Sequence, residues 1–264
     1  MSSYTVLDVQ RPSPHVARVF LNRPDLRNAF NEASIAELAR AFDELSQDAA
    51  LRVIVLGGHG KAFCAGADLS WMRAMANYDW QQNRADAQVL ADMLWSIYRC
   101  PVPVIGRIHG DCYAGGVGLA SVCDVLVAAD AAGFCLSEAK LGLLPATISP
   151  YVIRALGEQA ARRYFVTAER FSAAQAQALG FVHAVCSLDE LDAKVDELVA
   201  AVVANGPMAV RACKRLVQDV AGRPIDAALR EDTARRIADV RASDEGREGV
   251  QSFLQKRKPA WLGD

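Results

Sequence analysis

The order of apolar and polar residues predicts a chain of buried strands followed by amphipathic helices. An uninterrupted apolar run, typical of a strand buried on both faces, occurs at Val53–Leu56, and the mainly apolar segments Val102–Ile108 and Asp124–Ala128 predict further strands. Apolar residues recur at helical spacing within Ile35–Leu45 and Val89–Ile97. Strand, glycine-rich turn and helix repeat at roughly fifty-residue spacing, which predicts an α/β fold built from repeated units.

The second half of the chain has a mainly helical pattern. A capping-box sequence at Ser172–Gln175 predicts a helix start. The segment Tyr78–Arg84 is polar and has no period, so we expect it to be exposed and mobile. We place a boundary near residue 200, with a core over 1–200 and a helical region over 201–264. These last helices are too few to fold alone, so we expect them to pack on the body or on a neighbouring subunit.

Composition and charge narrow the class of protein. The 264 residues carry a formal net charge of −2, which argues against nucleic acid or an anionic membrane as partner. No stretch reaches the length and apolarity of a membrane span, and the N-terminus lacks a signal-peptide pattern. The seven cysteines include no CxxC pair and the four histidines are far apart, so we expect a reducing, cytoplasmic location and no metal.

Several motifs for nucleotide or serine chemistry are absent. Gly58–Lys61 lacks the glycine spacing of a phosphate-binding loop, and Ala62 stands where magnesium needs a hydroxyl. Gly115–Gly118 lacks the G-x-G-x-x-G spacing of a dinucleotide site, and no G-x-S-x-G elbow exists. We therefore expect no separate cofactor.

Two turns of small residues and one carboxylate remain as candidate chemistry. The turns are Ala65–Ala67 and Ala114–Gly116, and each follows a predicted buried strand. Backbone N–H groups in such turns can stabilise an enolate oxygen, while a carboxylate such as that of Glu138 moves a proton nearby. The alternatives stay open: the turns are tight connections that only permit packing, and Glu138 is a solvated or salt-bridged side chain.

The chain resembles the enoyl-CoA hydratase/isomerase (crotonase) superfamily along nearly its whole length. Seven collinear segments carry the resemblance: Leu21–Phe30, Ala62–Leu69, His109–Ala120, Cys123–Asp124, Ser137–Pro145, Ala173–Gly180 and Phe253–Pro259. The resemblance implies a spiral of ββα units whose C-terminal helices form a trimer, often paired into a hexamer. It also implies a CoA thioester as substrate, with its carbonyl held by the N–H groups of Ala65 and Gly115.

The resemblance further implies a binding site for CoA. Its pocket would be lined by Ala65, Gly66, Ala67 and Asp68, with Arg27 near the nucleotide end. Lys256 or Lys258 would meet the CoA phosphates, from the same or an adjacent subunit. The alternative for both lysines is a solvated basic tail.

One position departs from the pattern of the family's hydratases, which use two glutamates. Glu138 falls on the glutamate that protonates the α-carbon, but Gly118 stands where the water-activating glutamate is expected. A single carboxylate is typical of the family's isomerases. Four segments, however, resemble bacterial hydratases that act on 3-methylglutaconyl-CoA in leucine breakdown or on its isohexenyl homologue in acyclic terpene breakdown: Ala67–Met72, Gly115–Leu119, Leu144–Ile153 and Arg162–Phe165. We expect a hydratase in which Glu138 alone serves water addition and cycles one proton, while Gly118 leaves space for a branched acyl chain or a water. An enoyl-CoA isomerase and a catalytically silent acyl-CoA binder are the alternatives.

Overall fold

The computed structural model describes residues 3–263. Its backbone contacts divide the chain into two units, Met1–Glu197 and Leu198–Asp264. The sequence analysis placed this boundary at residue 200. None of the described helices is long and apolar enough to cross a membrane.

The larger sheet of the first unit has six strands. In spatial order they are β1 (Leu7–Ser13), β2 (Val16–Leu21), β3 (Val53–Gly58), β5 (Val104–Ile108), β7 (Val125–Ala129) and β10 (Ala184–Cys186). β1 pairs with β2 antiparallel, and every later pair is parallel. β3 lies between β2 and β5, and every one of its residues is buried. A strand that is buried on both faces has no position for a polar side chain, which explains its apolar sequence.

The smaller sheet of the same unit has four short strands. In spatial order they are β4 (Ala62–Cys64), β6 (Asp111–Tyr113), β8 (Gly133–Cys135) and β9 (Arg170–Ser172). A long strand of the first sheet is therefore followed in sequence by a short strand of the second, three times in succession. Helices follow the first two of these strand pairs. This arrangement confirms the predicted α/β fold of repeated ββα units.

Helices cover the sheets and make up most of the C-terminal part. In chain order they are α1 (Glu32–Ser46), α2 (Leu69–Met75), α3 (Trp80–Arg99), α4 (Gly115–Ser121), α5 (Ser149–Leu156), α6 (Glu158–Thr167), α7 (Ala173–Ala178), α8 (Leu191–Ala204), α9 (Pro207–Val220), α10 (Ala227–Ala242) and α11 (Asp244–Leu254). The capping box predicted at Ser172 is present, because the Ser172 hydroxyl accepts from Gln175 N–H and the Gln175 side chain accepts from Ser172 N–H.

The segment Tyr78–Arg84 has the exposure that was expected, and its mobility stays a prediction. From Trp80 onwards it forms the first turns of α3. A capping box starts the helix: Asp79 accepts from Gln82 N–H at 2.8 Å, and the Gln82 side chain accepts from Asp79 N–H at 2.9 Å. The segment has no apolar period because few of its side chains are buried, so a burial pattern gave no helical signal.

Candidate active site

Two turns of small residues lie against each other where short strands of the second sheet lead into helices. The turn after β4 contains Gly66, which has φ +91°. A Cβ at Gly66 would lie 2.9 Å from Ala114 Cβ, and a Cβ at Gly116 would lie 2.6 Å from Cys64 O. Any larger side chain at these two positions would push the turns apart. The glycines therefore hold the two predicted backbone sites close together.

The Ala65 amide has a partner within the protein. Its N–H donates to Arg27 O at 3.0 Å. The expectation that Ala65 supplies a free amide for a thioester oxygen is therefore corrected, because this hydrogen bond occupies its donor.

Ala67, two residues further on, has the geometry that was expected of Ala65. Phe30 N–H donates to Gly66 O and Asp68 N–H donates to Phe30 O, both at 2.7 Å, which makes a parallel bridge between Phe30 and Ala67. In a parallel pair the residue between two such bonds directs its own N–H away from the partner strand. The Ala67 N–H therefore points away from Phe30, and Ala67 lines the cavity described below.

Gly115 is the first residue of α4. The first N–H groups of a helix have no acceptor inside the helix, so they are available to another group. Ala114 precedes it with φ 48° and ψ −119°, and its own N–H donates to Cys135 O at 2.8 Å. This bond fixes the turn to β8, and Gly115 lines the same cavity as Ala67.

Glu138 lies on a short 3₁₀ turn, Glu138–Leu141, that follows β8. Its Oε2 atom is buried and has no hydrogen-bond partner among the described residues. Burial raises the pKa of Glu138 above its ordinary value, because desolvation penalises the charged carboxylate. Glu138 is half-buried as a residue and forms no ion pair among residues 3–263, and it lines the cavity with Ala67 and Gly115.

The inner cavity that these residues share has a volume of about 540 Å³. Most of its wall is apolar, including Phe30, Trp71, Met72, Met75, Leu90, Leu143, Leu144 and Ile148. The ionisable side chains that line it are Asp86 and Glu138. An apolar cavity with a few convergent polar groups is the usual form of a small-molecule site.

An outer cavity of about 840 Å³ adjoins the inner one. Both are lined by Ala65, Ala67, Leu69 and Trp71, so a long ligand can run from one into the other past the small residues. The outer lining contains the guanidinium groups of Arg23, Arg27 and Arg73. The same lining also contains Asp25, Glu32 and Asp68, so one end of the combined site is charged, with both signs present, and the other end is apolar.

Asp68 lines the outer cavity, but its carboxylate is bound within the protein. Its Oδ2 accepts from Arg23 Nη2 at 2.7 Å, and its Oδ1 accepts from Ser70 N–H at 2.7 Å as the N-cap of α2. Burial acts to raise the pKa of Asp68, but the hydrogen bonds from Arg23 and Ser70 outweigh it and lower that pKa. Asp68 thus shapes the wall and starts a helix.

The space at Gly118 is not open. Gly118 is buried in α4, and a Cβ there would lie 2.2 Å from Ile148 Cγ2 and 2.6 Å from Ile148 Cβ. The expectation that Gly118 leaves space for an acyl branch or a water was therefore wrong. The side chain of Ile148, just before α5, occupies the place of the missing glutamate and is only 3% exposed.

The sequence analysis did not single out Asp86. Asp86 lines the inner cavity, and its Oδ1 accepts from Trp71 Nε1 at 3.0 Å. The sequence analysis missed Asp86 because the polar start of α3 has no apolar period that would indicate a helix with one face toward a cavity.

Lys256 and Lys258 are exposed after the end of α11, in the second unit.

Comparison with known proteins agrees with the fold. The sequence profile described as enoyl-CoA hydratase/isomerase matches residues 12–264. A putative enoyl-CoA hydratase of Thermus thermophilus is 33% identical over 251 residues, which cover 95% of this chain and 99% of that protein.

Solved structures are also similar over nearly their full length. A putative enoyl CoA hydratase/isomerase (crotonase) from Legionella pneumophila has a TM-score of 0.92 at 41% identity, covering 98% of this chain and 100% of that one. An enoyl-CoA hydratase from Shewanella pealeana has a TM-score of 0.94 at 40% identity, covering 97% and 96%. The architecture is thus the crotonase fold. The chain belongs to the enoyl-CoA hydratase/isomerase family.

Proposed function

We propose that this protein adds water across the 2,3 double bond of an enoyl-CoA thioester. One observation carries the proposal: Glu138, whose Oε2 is buried without a partner among the described residues, lines the same apolar cavity as Ala67 and Gly115. A carboxyl group whose pKa is raised by burial is suited to act as a general acid that gives a proton to carbon. Family membership supports the same reaction class.

The thioester oxygen would be held by the N–H groups of Ala67 and Gly115. Charge develops on this oxygen when the enolate forms, and fixed amide donors stabilise it without having to reorganise. Gly115 was proposed for this role from the sequence, and Ala67 takes the place of Ala65. Removal of one such donor typically costs about 3–4 kcal/mol of barrier.

The CoA moiety would occupy the outer cavity and pass over Ala65 and Gly66 into the inner one. The exposed guanidinium of Arg27 supports a place for the phosphates or the nucleotide there, because arginine binds phosphate oxygens in bidentate fashion. Contact of Lys256 or Lys258 with CoA remains a prediction, with a solvated tail as its alternative.

An enoyl-CoA isomerase is the second candidate. Ile148 fills the place of the second glutamate beside Gly118, so Glu138 is the carboxylate that this chain keeps at the family's two positions. A single base can take a proton from one carbon and return it to another. A silent acyl-CoA binder is the third candidate, and the buried, proton-competent state of Glu138 argues against it.

The chemistry of the inner cavity favours an uncharged acyl group. Within residues 3–263 its lining includes two carboxylates, those of Asp86 and Glu138, and no lysine, arginine or histidine. An acyl chain with its own carboxylate would bring a further negative charge into an apolar space without a cation, which is costly. The methylglutaconyl-type substrate suggested by the resemblance therefore stays a prediction, to be tested against apolar chains.

A panel of CoA esters tests these alternatives directly. It contains straight-chain and branched 2-enoyl-CoA, a straight-chain 3-enoyl-CoA and methylglutaconyl-CoA, each followed by loss of conjugated absorbance and by mass. Hydration adds the mass of one water, whereas isomerisation of the 3-enoyl ester changes absorbance without changing mass. We expect hydration of the apolar 2-enoyl esters. Binding of every ester with no change in either signal would contradict the proposal and support the silent binder.

We also propose that the protein assembles as a homotrimer or a pair of trimers. The second unit supports this proposal because it leaves large apolar side chains exposed, among them Ile225 at 87% and Phe253 at 81%. Apolar surface of this kind is typical of a subunit interface.

A further inference from the structure

The inner cavity contains a second carboxylate besides Glu138, on the wall formed by α3. Asn83, Asp86, Ala87 and Leu90 all line this cavity. Residues three and four apart lie on one face of a helix. The first half of α3 therefore presents one face to the cavity, and Asp86 is the ionisable residue among these four.

Asp86 is held in place by a buried aromatic side chain. Trp71 is 8% exposed, and its Nε1–H donates to Asp86 Oδ1 at 3.0 Å. A carboxylate has about four acceptor sites on its two oxygens, so this bond leaves capacity for another donor. Among residues 3–263, none of the ion pairs involves Asp86. The hydrogen bond from Trp71 thus orients the Asp86 carboxylate, while no described cation pairs with its charge.

A carboxylate cannot be supplied from position 118 in this chain. Gly118 has no side chain, and Ile148 fills the adjoining space at 2.2 Å from where a Cβ would be. Addition of water to an enoyl ester needs a group that accepts a proton from the water as well as one that gives a proton to carbon. If hydration is the reaction, that acceptor is either Glu138 itself, which would cycle one proton from water to carbon, or a second carboxylate elsewhere in the wall.

We propose that Asp86 is the residue that binds and deprotonates the attacking water, and that it replaces the carboxylate missing at Gly118. The proposal rests on the hydration activity proposed above and assigns its second acid–base group. Asp86 and Glu138 would then stand in one cavity with different roles, because Trp71 donates to one and no group donates to the buried oxygen of the other.

The proposed step balances without any further reactant. As the water oxygen bonds to the β-carbon, one of its protons passes to Asp86. The electron pair of the double bond moves toward the thioester and forms the enolate, whose oxygen accepts from Ala67 and Gly115 N–H. Protonated Glu138 then gives its proton to the α-carbon. Solvent returns the proton from Asp86 to Glu138 and restores the starting state.

The variant Asp86→Asn tests the role of the carboxylate. The amide oxygen of asparagine can still accept from Trp71 Nε1, so the shape of the wall is kept while the base is lost. We expect kcat for hydration to fall by about 100-fold or more, the usual size of a general-base contribution. Asp92→Asn is the matched control, because Asp92 is an exposed residue of the same helix outside the cavity lining. It should keep wild-type kcat.

A second measurement separates a catalytic role from a structural one. Exchange of the α-protons of a saturated acyl-CoA with deuterated solvent needs Glu138 and the backbone amides but no attacking water. We expect Asp86→Asn to retain this exchange within about threefold, and Asp86→Glu, which keeps a carboxylate, to recover hydration about tenfold over the asparagine variant, both within the range of a general-base effect.

Three results would overturn the assignment, and they are distinguishable. Hydration by Asp86→Asn at the wild-type rate would make Asp86 only a partner of Trp71. Equal loss of hydration and of exchange would show that Asp86 acts through the shape of the wall. If the wild-type protein exchanges α-protons but hydrates no ester, the proposed hydratase function itself fails, and Asp86 has no water to activate.

Discussion

At the scale of single residues, the proposed chemistry depends most on Glu138. Its Oε2 is buried without a partner among residues 3–263, and burial favours the neutral acid over the carboxylate. A protein that only packed this side chain would give it a donor or expose it to water. The unsatisfied oxygen is a cost to folding that is explained if the group must exchange a proton with a substrate.

Replacement of this residue by its amide, Glu138→Gln, should abolish proton transfer while keeping the shape of the side chain. We expect kcat for hydration to fall by about 100- to 10,000-fold, because the variant loses a general acid–base group. The measurement is the rate with the best 2-enoyl ester of the panel. Binding of a saturated acyl-CoA by calorimetry is the control and should change little. Full hydration activity on every ester would refute the role of Glu138.

The same variant should be more stable than the wild type at neutral pH. Between the ordinary glutamate pKa of 4.5 and the raised pKa of Glu138, the folded protein keeps a proton that the unfolded chain has lost. The free energy of unfolding therefore falls as pH rises through this window. Glutamine cannot ionise, so Glu138→Gln removes that loss. Urea unfolding at neutral pH should show the gain, and it should disappear below pH 4.5.

His109, at the end of β5, should make stability depend on mild acid. Burial, with a smaller effect of Arg107, lowers the pKa of His109 from 6.5 to about 4. Between these values the unfolded chain binds a proton that the folded protein does not, so the free energy of unfolding decreases as pH falls from 6.5 toward 4. At 1.36 kcal/mol per pKa unit, the decrease is about 3 kcal/mol at most.

The measurement is urea unfolding across this pH range for the wild type and for His109→Phe. The phenylalanine variant has no proton to bind at this position, so its stability should depend less steeply on pH. Equal slopes for the two proteins would show that other groups cause the acid sensitivity.

At the scale of elements, the packing of α4 against the start of α5 decides what stands at the family's second catalytic position. Gly118 and Ile148 fit together as a pair, with the side chain of one filling the space that the other leaves. Interiors are packed closely enough that one extra methyl group is felt. The effect of a substitution at Gly118 on the free energy of unfolding should therefore depend on which residue stands at position 148.

A double-mutant cycle on this pair tests that coupling. Gly118→Ala alone should reduce the free energy of unfolding by about 1–3 kcal/mol, the usual cost of overpacking. Ile148→Ala removes Cγ2, the atom nearest to the new Cβ, but keeps the Ile148 Cβ at 2.6 Å from it. Part of the overlap is thus relieved, so the double variant should lose less than the sum of the two single losses. Urea unfolding of the four proteins gives the coupling energy. Additive losses would mean that the two side chains do not compete for the same space.

The pattern of apolar residues predicted strands and helices correctly where one face of the element, or all of it, is buried. The strand at Val53–Leu56 and the capping box at Ser172 were confirmed, since each has a local cause in the sequence. The start of α3 was missed, because a helix with most of its side chains in solvent has no apolar stripe. Its capping box at Asp79 and Gln82 was the signal available in the sequence.

At the scale of the whole molecule, the proposed assembly can be tested on the intact protein. Light scattering coupled to size-exclusion chromatography should give three or six times the monomer mass of 28.5 kDa. Phe253→Asp places a charge on a residue that is 81% exposed in the single chain. If Phe253 lies in a subunit interface, this change should shift the mass toward the monomer, because a buried unpaired charge is costly.

Ser252→Asp is not a suitable control for this change, because Ser252 is buried. Gln251→Asp, at an exposed position of the same helix, is the better match. A monomeric wild-type protein would contradict the proposed assembly, and an unchanged mass for Phe253→Asp would place that residue outside the interface.

The sequence by itself determined the repeated ββα plan, the family, the turn at Gly115 and the residue Glu138, because each depends on local pattern or on collinear motifs. Only the tertiary structure decided three features of the site. The Ala65 N–H donates to Arg27 O, which leaves Ala67 to face the cavity, and Ile148 closes the space beside Gly118. Asp86 enters the same cavity through its bond to Trp71. Each depends on which distant groups meet in space, and neither apolar period nor motif spacing encodes that.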